Sequence, residues 1–436
     1  MGYEPSLMAK ADPPSYLPRI VDRELDELLT ALPAIALEGP KGVGKTETAL
    51  RRARAVYRFD DPAVRAVAAA DPSHVLAGEV PILLDEWQRL PGVWDEVRRA
   101  VDAGARAGSF LLTGSASPRH LPTHSGAGRV VTVRMRPLSL AERDLCAPSV
   151  SLADLLAGTQ PALDGACPLI LVDYTREIIQ SGFPAIRPVT GRAHRALLDG
   201  YLRRIVDRDF GDQGVNLRRP ASLLAWMRAY AAATATAASY ETIRDAATAG
   251  DADKPAKSTT IPYRDTLEAL WILEPLPAWL PAGNPLSRLT RGPKHHLADP
   301  ALTARLLGAS ADSLLAAEEP GPTFPRNGAL LGHLFESLAT QSVRVYAQQA
   351  EARVFHLNTS GAQRKVDLIV ERADGRVVAL EVKLSRAIDD ADVRHLCWLA
   401  DKLGDRLLDA AVLTTGPRAY RRADGIGVVP LGLLGA

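Results

Sequence analysis

The sequence predicts an α/β protein: a parallel sheet with flanking helices first, a helical middle, then a second, smaller α/β unit. Three observations carry that prediction. Short apolar runs, Ala34-Ile35-Ala36-Leu37, Ile82-Leu83-Leu84 and Phe110-Leu111-Leu112, alternate with helix-patterned stretches, the mark of parallel strands joined by crossover helices. A glycine-rich segment, residues 39–46, follows the first run directly and opens a helical pattern. Near the other end, two apolar runs flank Asp374-Gly375 and are followed by a helical stretch and another apolar run, which reads as a hairpin extended by a crossover.

A chain of 436 residues is long enough for several domains, each with its own core. Hydrophobic residues at 47% and charged residues at 24% are globular values and exclude disorder, collagen and coiled coil as the dominant state. With 52 Lys plus Arg against 51 Asp plus Glu, any affinity for nucleic acid must come from a local patch. Cys146, Cys167 and Cys397 are too few and too scattered for a disulfide framework or a zinc site, so a reducing cytoplasm is expected. No apolar run suggests a membrane span or a secretion signal. Only nine residues are lysine, so each lysine is informative.

In order, residues 1–20 read as a proline-punctuated arm and 21–140 as the first α/β domain, with helices over Val21–Ala31, 46–56 and 94–105. A helical connector is expected over 141–220, with helices at 140–157 and 193–209 around the loop Gly182-Phe183-Pro184. Residues 221–300 begin Ala-rich, then carry helices at 240–248 and 259–273 and a Pro-bounded hairpin. Residues 301–325 read as a linker, and 326–436 as the last domain, with helices at 328–347 and 391–403 and a strand at 411–414.

Gly39-Pro40-Lys41-Gly42-Val43-Gly44-Lys45-Thr46 satisfies G-x-x-x-x-G-K-[ST] between a strand and a helix. The chemistry needs small residues that let backbone N–H groups curl around phosphates, an ammonium for the β and γ oxygens and a hydroxyl for magnesium. Lys45 and Thr46 supply the last two, so ATP and Mg2+ are the expected ligands. Asp85 and Glu86 end the next apolar run, where ligands of open α/β sheets sit; Asp85 is expected to hold magnesium and Glu86 to polarise the attacking water. Thr113 and Ser115 end a third strand and are candidates to orient that water. Arg129, in Gly126-Ala127-Gly128-Arg129, is a candidate arginine finger.

These motifs, with Tyr16-Leu17-Pro18-Arg19, Ser181-Gly182-Phe183-Pro184, the stretch from Tyr201 to Asp209, Pro293-Lys294 with Asp299, and Glu381-Val382-Lys383, resemble prokaryotic AAA-type P-loop ATPases that carry a C-terminal domain of unknown function numbered 4143. The resemblance spans nearly the whole chain and implies an ATPase core, a winged helix and a PD-(D/E)xK nuclease-like fold.

The middle helices and hairpin fit a winged helix-turn-helix, with Lys254, Lys257, Arg264, Arg288, Arg291 and Lys294 as a phosphate-contacting footprint for DNA. Asp367, Glu381 and Lys383 match the D-x(n)-E-x-K core, and Glu336 on the preceding helix is placed to complete a Mg2+ or Mn2+ site. Lys365 departs from that pattern, because related sequences usually carry an acidic residue there. Strand parity predicts a three-residue loop, Ala373-Asp374-Gly375, with Arg372 opposite Arg376 and Asp367 opposite Glu381, since a two-residue turn would put the carboxylates on opposite faces. The expected function is an Mg-dependent ATPase controlling a DNA-binding, possibly nuclease, module, with self-association possible. The alternative is an ATP-switched regulatory or interaction protein whose nuclease fold is inactive.

Overall fold

The computed structural model describes residues 16–115, 126–247, 256–280, 292–316, 327–359 and 363–436. Strands β1 (Ala34–Glu38), β2 (Ala55–Arg58), β3 (Ile82–Asp85), β4 (Phe110–Gly114) and β5 (Val131–Arg134) form one parallel sheet in the order β2-β3-β4-β1-β5. Both faces are covered, as continuous apolar strands require. Ile35 and Leu37 pack with Leu25 of the helix Val21–Ala31, while Ala34 and Ala36 face Val93 and Val97 of the helix Gly92–Asp102. The helix expected over 46–56 stops at Leu50, and Ala55–Arg58 becomes an edge strand with little burial to mark it.

The C-terminal sheet contains β7 (Arg353–Asn358), β8 (Lys365–Glu371), β9 (Val377–Val382), β10 (Leu407–Thr414), β11 (Tyr420–Arg421) and β12 (Gly427–Pro430), in the order β11-β12-β10-β9-β8-β7. The helix Asp390–Leu403 makes the crossover that lets β9 and β10 run parallel. The β8–β9 ladder runs from Glu371 opposite Val377 to Leu368 opposite Leu380. Arg372 N–H bonds to Arg376 O at 2.9 Å and Gly375 takes φ +78°, which is the three-residue loop that parity predicts. One detail differs. β7 pairs Phe355 with Ile369 and Leu357 with Val366, so β8 carries one extra residue around Asp367, and Val366 turns from the face of Leu368 to pack with Ile369.

Long-range packing overrides the expected linear division. The stretch 140–157 is not one helix: a short turn, Leu140–Arg143, precedes β6 (Val150–Ser151), which pairs with β13 (Leu434–Gly435), and the helix Leu152–Ala157. Leu152 and Leu155 thereby share a core with Leu334, Leu338 and Leu433. The expected linker 301–325 instead carries the helices Pro300–Leu306 and Ala311–Leu315, with Leu302 fully buried; residues 317–325 lie outside the described residues. The expected wing is not free. Its arms pair through Leu273–Leu297 and Leu276–Lys294, and the first arm continues onto β7, where Trp279 N–H bonds to His356 O at 2.7 Å. Among the described residues, no helix is long and apolar enough to cross a membrane.

Asp299 locks this arrangement. It is fully buried, caps Pro300–Leu306 by accepting from Ala301 N–H at 2.8 Å, and accepts from Gly182 N–H at 2.6 Å. Gly182 sits where a Cβ would lie 2.8 Å from Leu138 O. Asp299→Ala is expected to destabilise the chain by roughly 1–3 kcal/mol for each buried N–H left without an acceptor. Chemical-denaturation midpoints should show this loss, and Asp299→Asn should recover at most the part due to one N–H, because its NH2 would face the other.

Candidate functional site

The P-loop leaves β1 through Gly39, where a Cβ would fall 2.1 Å from Met135 O, so only glycine lets the loop pass so close to the end of β5. Gly44 takes φ +100° just before the helix Lys45–Leu50. Lys45 is buried, and its Nζ donates to Gly39 O at 2.8 Å and Pro40 O at 2.9 Å. Burial pulls its pKa down to about 8, against the opposing pull of Glu86 and Asp85. Parallel register sets the strand ends side by side: Asp85 stands opposite Thr113 and Glu38 opposite Gly114. Asp85 Oδ1 therefore accepts from Thr46 Oγ1 at 2.8 Å and from Thr113 Oγ1. Glu86, at φ +56°, accepts from Ser115 Oγ at 2.8 Å and from Gln88 Nε2 at 2.5 Å, so both its oxygens are held.

The loop, both carboxylates and Ser115 line one cavity of about 660 Å³, a size that suits a nucleotide. Three stretches of the chain thus meet: residues 41–46, Asp85 with Glu86, and Ser115 line the cavity, and Thr113 reaches it through its bond to Asp85. Arg129 does not join them. It lies on the surface with its Nε 2.5 Å from Asp102 Oδ1 and does not line the cavity of its own chain.

Sequence reasoning missed the far wall. Pro184 and Ala185 line it with Arg89 and Arg204, and Tyr16 and Leu17 close one end. Asp209, in the π-helical turn Ile205–Asp209 that continues the helix Gly191–Arg204, binds Lys41 Nζ at 2.5 Å, with Arg204 Nε 3.9 Å away. Tyr201 donates to Lys41 O at 3.1 Å and packs on Phe183. The scarcity of lysine marked Lys41, but nothing local marked Asp209 as its partner.

A second charged cluster lies on the C-terminal sheet. Glu336 of the helix Asn327–Gln349, Asp367 of β8 and Glu381 of β9 are all buried. Lys294 Nζ donates to Glu336 Oε1 at 2.6 Å and to Asp367 Oδ1 at 2.9 Å. Burial and then the Asp367 carboxylate raise the pKa of both Glu336 and Glu381, while Lys294 and Lys365 overcome burial to hold Asp367 low. Lys383 Nζ is 3.4 Å from Glu381 Oε1. The register thus brings Asp367, Glu381, Glu336 and Lys383 together, but with an unforeseen member.

Lys294 corrects the expected DNA footprint, since its ammonium is spent on two buried carboxylates. Arg264 is bound to Asp265 at 2.8 Å, and Lys257 is exposed at the start of the helix Lys257–Ala269. Lys254, Arg288 and Arg291 lie outside the described residues.

Comparison with known proteins finds three family matches along the chain. A family described as an AAA domain matches residues 32–143, and two families described as domains of unknown function match residues 171–313 and 331–434, the latter numbered 4143. An uncharacterized protein of Mycobacterium tuberculosis and one of Mycobacterium bovis are each 27% identical over 365 residues, 82% of this chain and 72% of theirs. A Walker-type ATPase of Pyrococcus abyssi is similar at 14% identity with a TM-score of 0.37, over 65% of this chain and 94% of that one. Residues 32–143, which hold the P-loop sheet, are thus similar to the AAA domain family.

The low pKa of Lys45 sets a pH dependence. Neutral above about pH 8 when free, Lys45 must take up a proton to meet a polyphosphate. Calorimetry of ATP binding to the Glu86→Gln chain, in buffers of different ionisation enthalpy, should show uptake rising toward about one proton at pH 9, with affinity falling about tenfold per pH unit above 8. Absence of uptake at pH 9 would refute this role for Lys45.

Proposed function

We propose that the chain is a magnesium-dependent ATP hydrolase that works as a switch, passing the state of its nucleotide pocket to the C-terminal sheet. The observation that carries the reading is the convergence of Lys45, Thr46, Asp85, Glu86 and Ser115 on one cavity. Thr46 and Asp85, already 2.8 Å apart, are the residues that would hold Mg2+. The ion supplies neutralisation of charge on the β- and γ-phosphates. Lys45 exchanges its bonds to Gly39 and Pro40 for phosphate oxygens. Glu86 accepts the proton of the attacking water, and the Ser115 and Gln88 bonds decide which of its oxygens faces that water. Thr113 holds Asp85 at its working distance.

The route outward begins where the loop touches Met135, whose N–H bonds to Glu38 O at 2.7 Å. The next residue, Arg136, binds Glu274 Oε1 at 2.7 Å and Gln348 Oε1 at 2.8 Å, on the wing arm and the long helix. A change in the P-loop therefore bears on both. Because the arms are docked and Lys294 is buried, we favour an ATP-switched contact over DNA-directed work.

Lys45→Ala is expected to abolish ATP hydrolysis, and Glu86→Gln to slow turnover by roughly 10²–10⁴-fold while keeping ATP binding. In Glu86→Gln, ATP should change hydrogen-exchange protection in 273–279 and 327–349; unchanged protection there would reject the switch. Duplex DNA should leave the ATPase rate unaltered, and strong, salt-sensitive stimulation would restore the DNA-directed reading.

A further inference from the structure

The PD-(D/E)xK resemblance implies a divalent cation at Glu336, Asp367 and Glu381, and the residues as folded do not fit one. An ion bridging Glu336 and Asp367 needs one oxygen from each carboxylate. The facing oxygens, Glu336 Oε1 and Asp367 Oδ1, are the two that accept from Lys294 Nζ. The other Asp367 oxygen accepts from Val382 N–H at 3.1 Å. Burial and Asp367 push Glu336 and Glu381 toward their neutral forms, and the ammonium groups of Lys294, Lys365 and Lys383 face the cluster, so little negative charge is left to draw a divalent cation. Among the described residues, no group of three or more His, Cys, Asp or Glu side chains is arranged to hold a metal ion.

The lysine is delivered by a fixed backbone. Lys294 and Leu276 exchange both N–H···O bonds, at 2.8 and 2.9 Å. On either side, Gly292 O bonds His356 Nε2 at 2.9 Å and His295 N–H bonds Thr236 O at 3.0 Å. Glu381 is fully buried with neither oxygen hydrogen-bonded among the described residues, so it is a carboxylate with spare capacity beside the seated ammonium.

We propose that Lys294 is the built-in occupant of this cluster: its ammonium takes the position of a divalent cation, making the site a metal-independent clasp between the wing arms and the C-terminal sheet, closed to divalent cations while the lysine is seated. The claim stands apart from the ATPase reading, because it needs neither nucleotide nor turnover. Withdrawing the lysine frees the facing oxygens Glu336 Oε1 and Asp367 Oδ1 for a cation held by these two carboxylates and water.

The probe is Mn2+ alone, followed by electron paramagnetic resonance on the full chain without nucleotide, in an Asp85→Asn background that removes the cation ligand of the P-loop cavity. With Lys294 present, adding Asp367→Asn should change Mn2+ uptake by nothing. Lys294→Met should gain about one Mn2+ per chain, lose it again with Asp367→Asn, and regain in Mn2+ the thermal midpoint lost with the lysine. Uptake that depends on Asp367 while Lys294 is intact would overturn the proposal, as would a folded Lys294→Met chain that gains none. If Lys294→Met folds only with Mn2+, the proposal holds. If it folds under neither condition, Lys294→Gln, which keeps all three carboxylates and can still donate to them, takes its place, and the same gain, dependent on Asp367, is required of it.

Discussion

One carboxylate ties the three parts of the chain together. Glu274 follows the helix Lys257–Ala269 and faces three guanidinium groups: Arg136 at 2.7 Å, Arg344 at 3.8 Å and Arg134 at 4.0 Å. Burial opposes its charge, but the arginines hold its carboxyl well below the usual range. Arg134 lies over the Trp271 ring at 3.6 Å, and Arg344 donates to the carbonyls of Glu274 and Pro275. Breaking one side of such a group leaves the other charges buried without compensation, which costs far more than the contact itself contributes. The P-loop sheet, the wing arm and the long helix therefore move together or not at all.

That junction also explains how two distant charged sites are related. Gln348 of the long helix bonds to Arg134 O of the P-loop sheet, Arg344 bonds to the wing arm, and Glu336 lies on the same helix about 18 Å from Gln348 along its axis. The wing arm runs in the same sense, from Glu274 to Leu276 and across to Lys294. Both ends of the acid clasp are thus rooted in the knot around Glu274, so a shift of Arg136 is felt at Lys294 through the helix and through the arm together.

What was legible in the sequence obeyed short-range rules. The P-loop has its glycines because the backbone there must take positive φ or pass within contact of another strand, and those needs are local. The register of β8 on β9 followed from parity and the glycine at position 375, again local. Arg129 pairs with Asp102 on the surface, away from the cavity of its own chain, a placement that no local pattern announced. Lys294 was noticed but sent to solvent, since a basic residue in a hairpin ordinarily is solvated; its true partners lie 42 and 73 residues further along the chain. The bulge near Asp367, the helices in the expected linker and the short pairing of Val150–Ser151 share that cause, because each is decided by a neighbour that no local pattern announces.

That pairing has a consequence for how the protein is made. Val150 and Ser151 find their strand partner in Leu434 and Gly435, Ser149 N–H bonds to Leu433 O, and the helix Leu152–Ala157 is capped by Arg372 through Leu156 O. About 280 residues separate the partners. At about 5–20 residues per second the ribosome needs roughly 15–60 s to deliver them. Throughout that interval Leu152, Leu155 and Leu156 are translated but have no completed core to enter. Nascent-chain quality control would meet this segment open until Leu434 and Gly435 are delivered to close it.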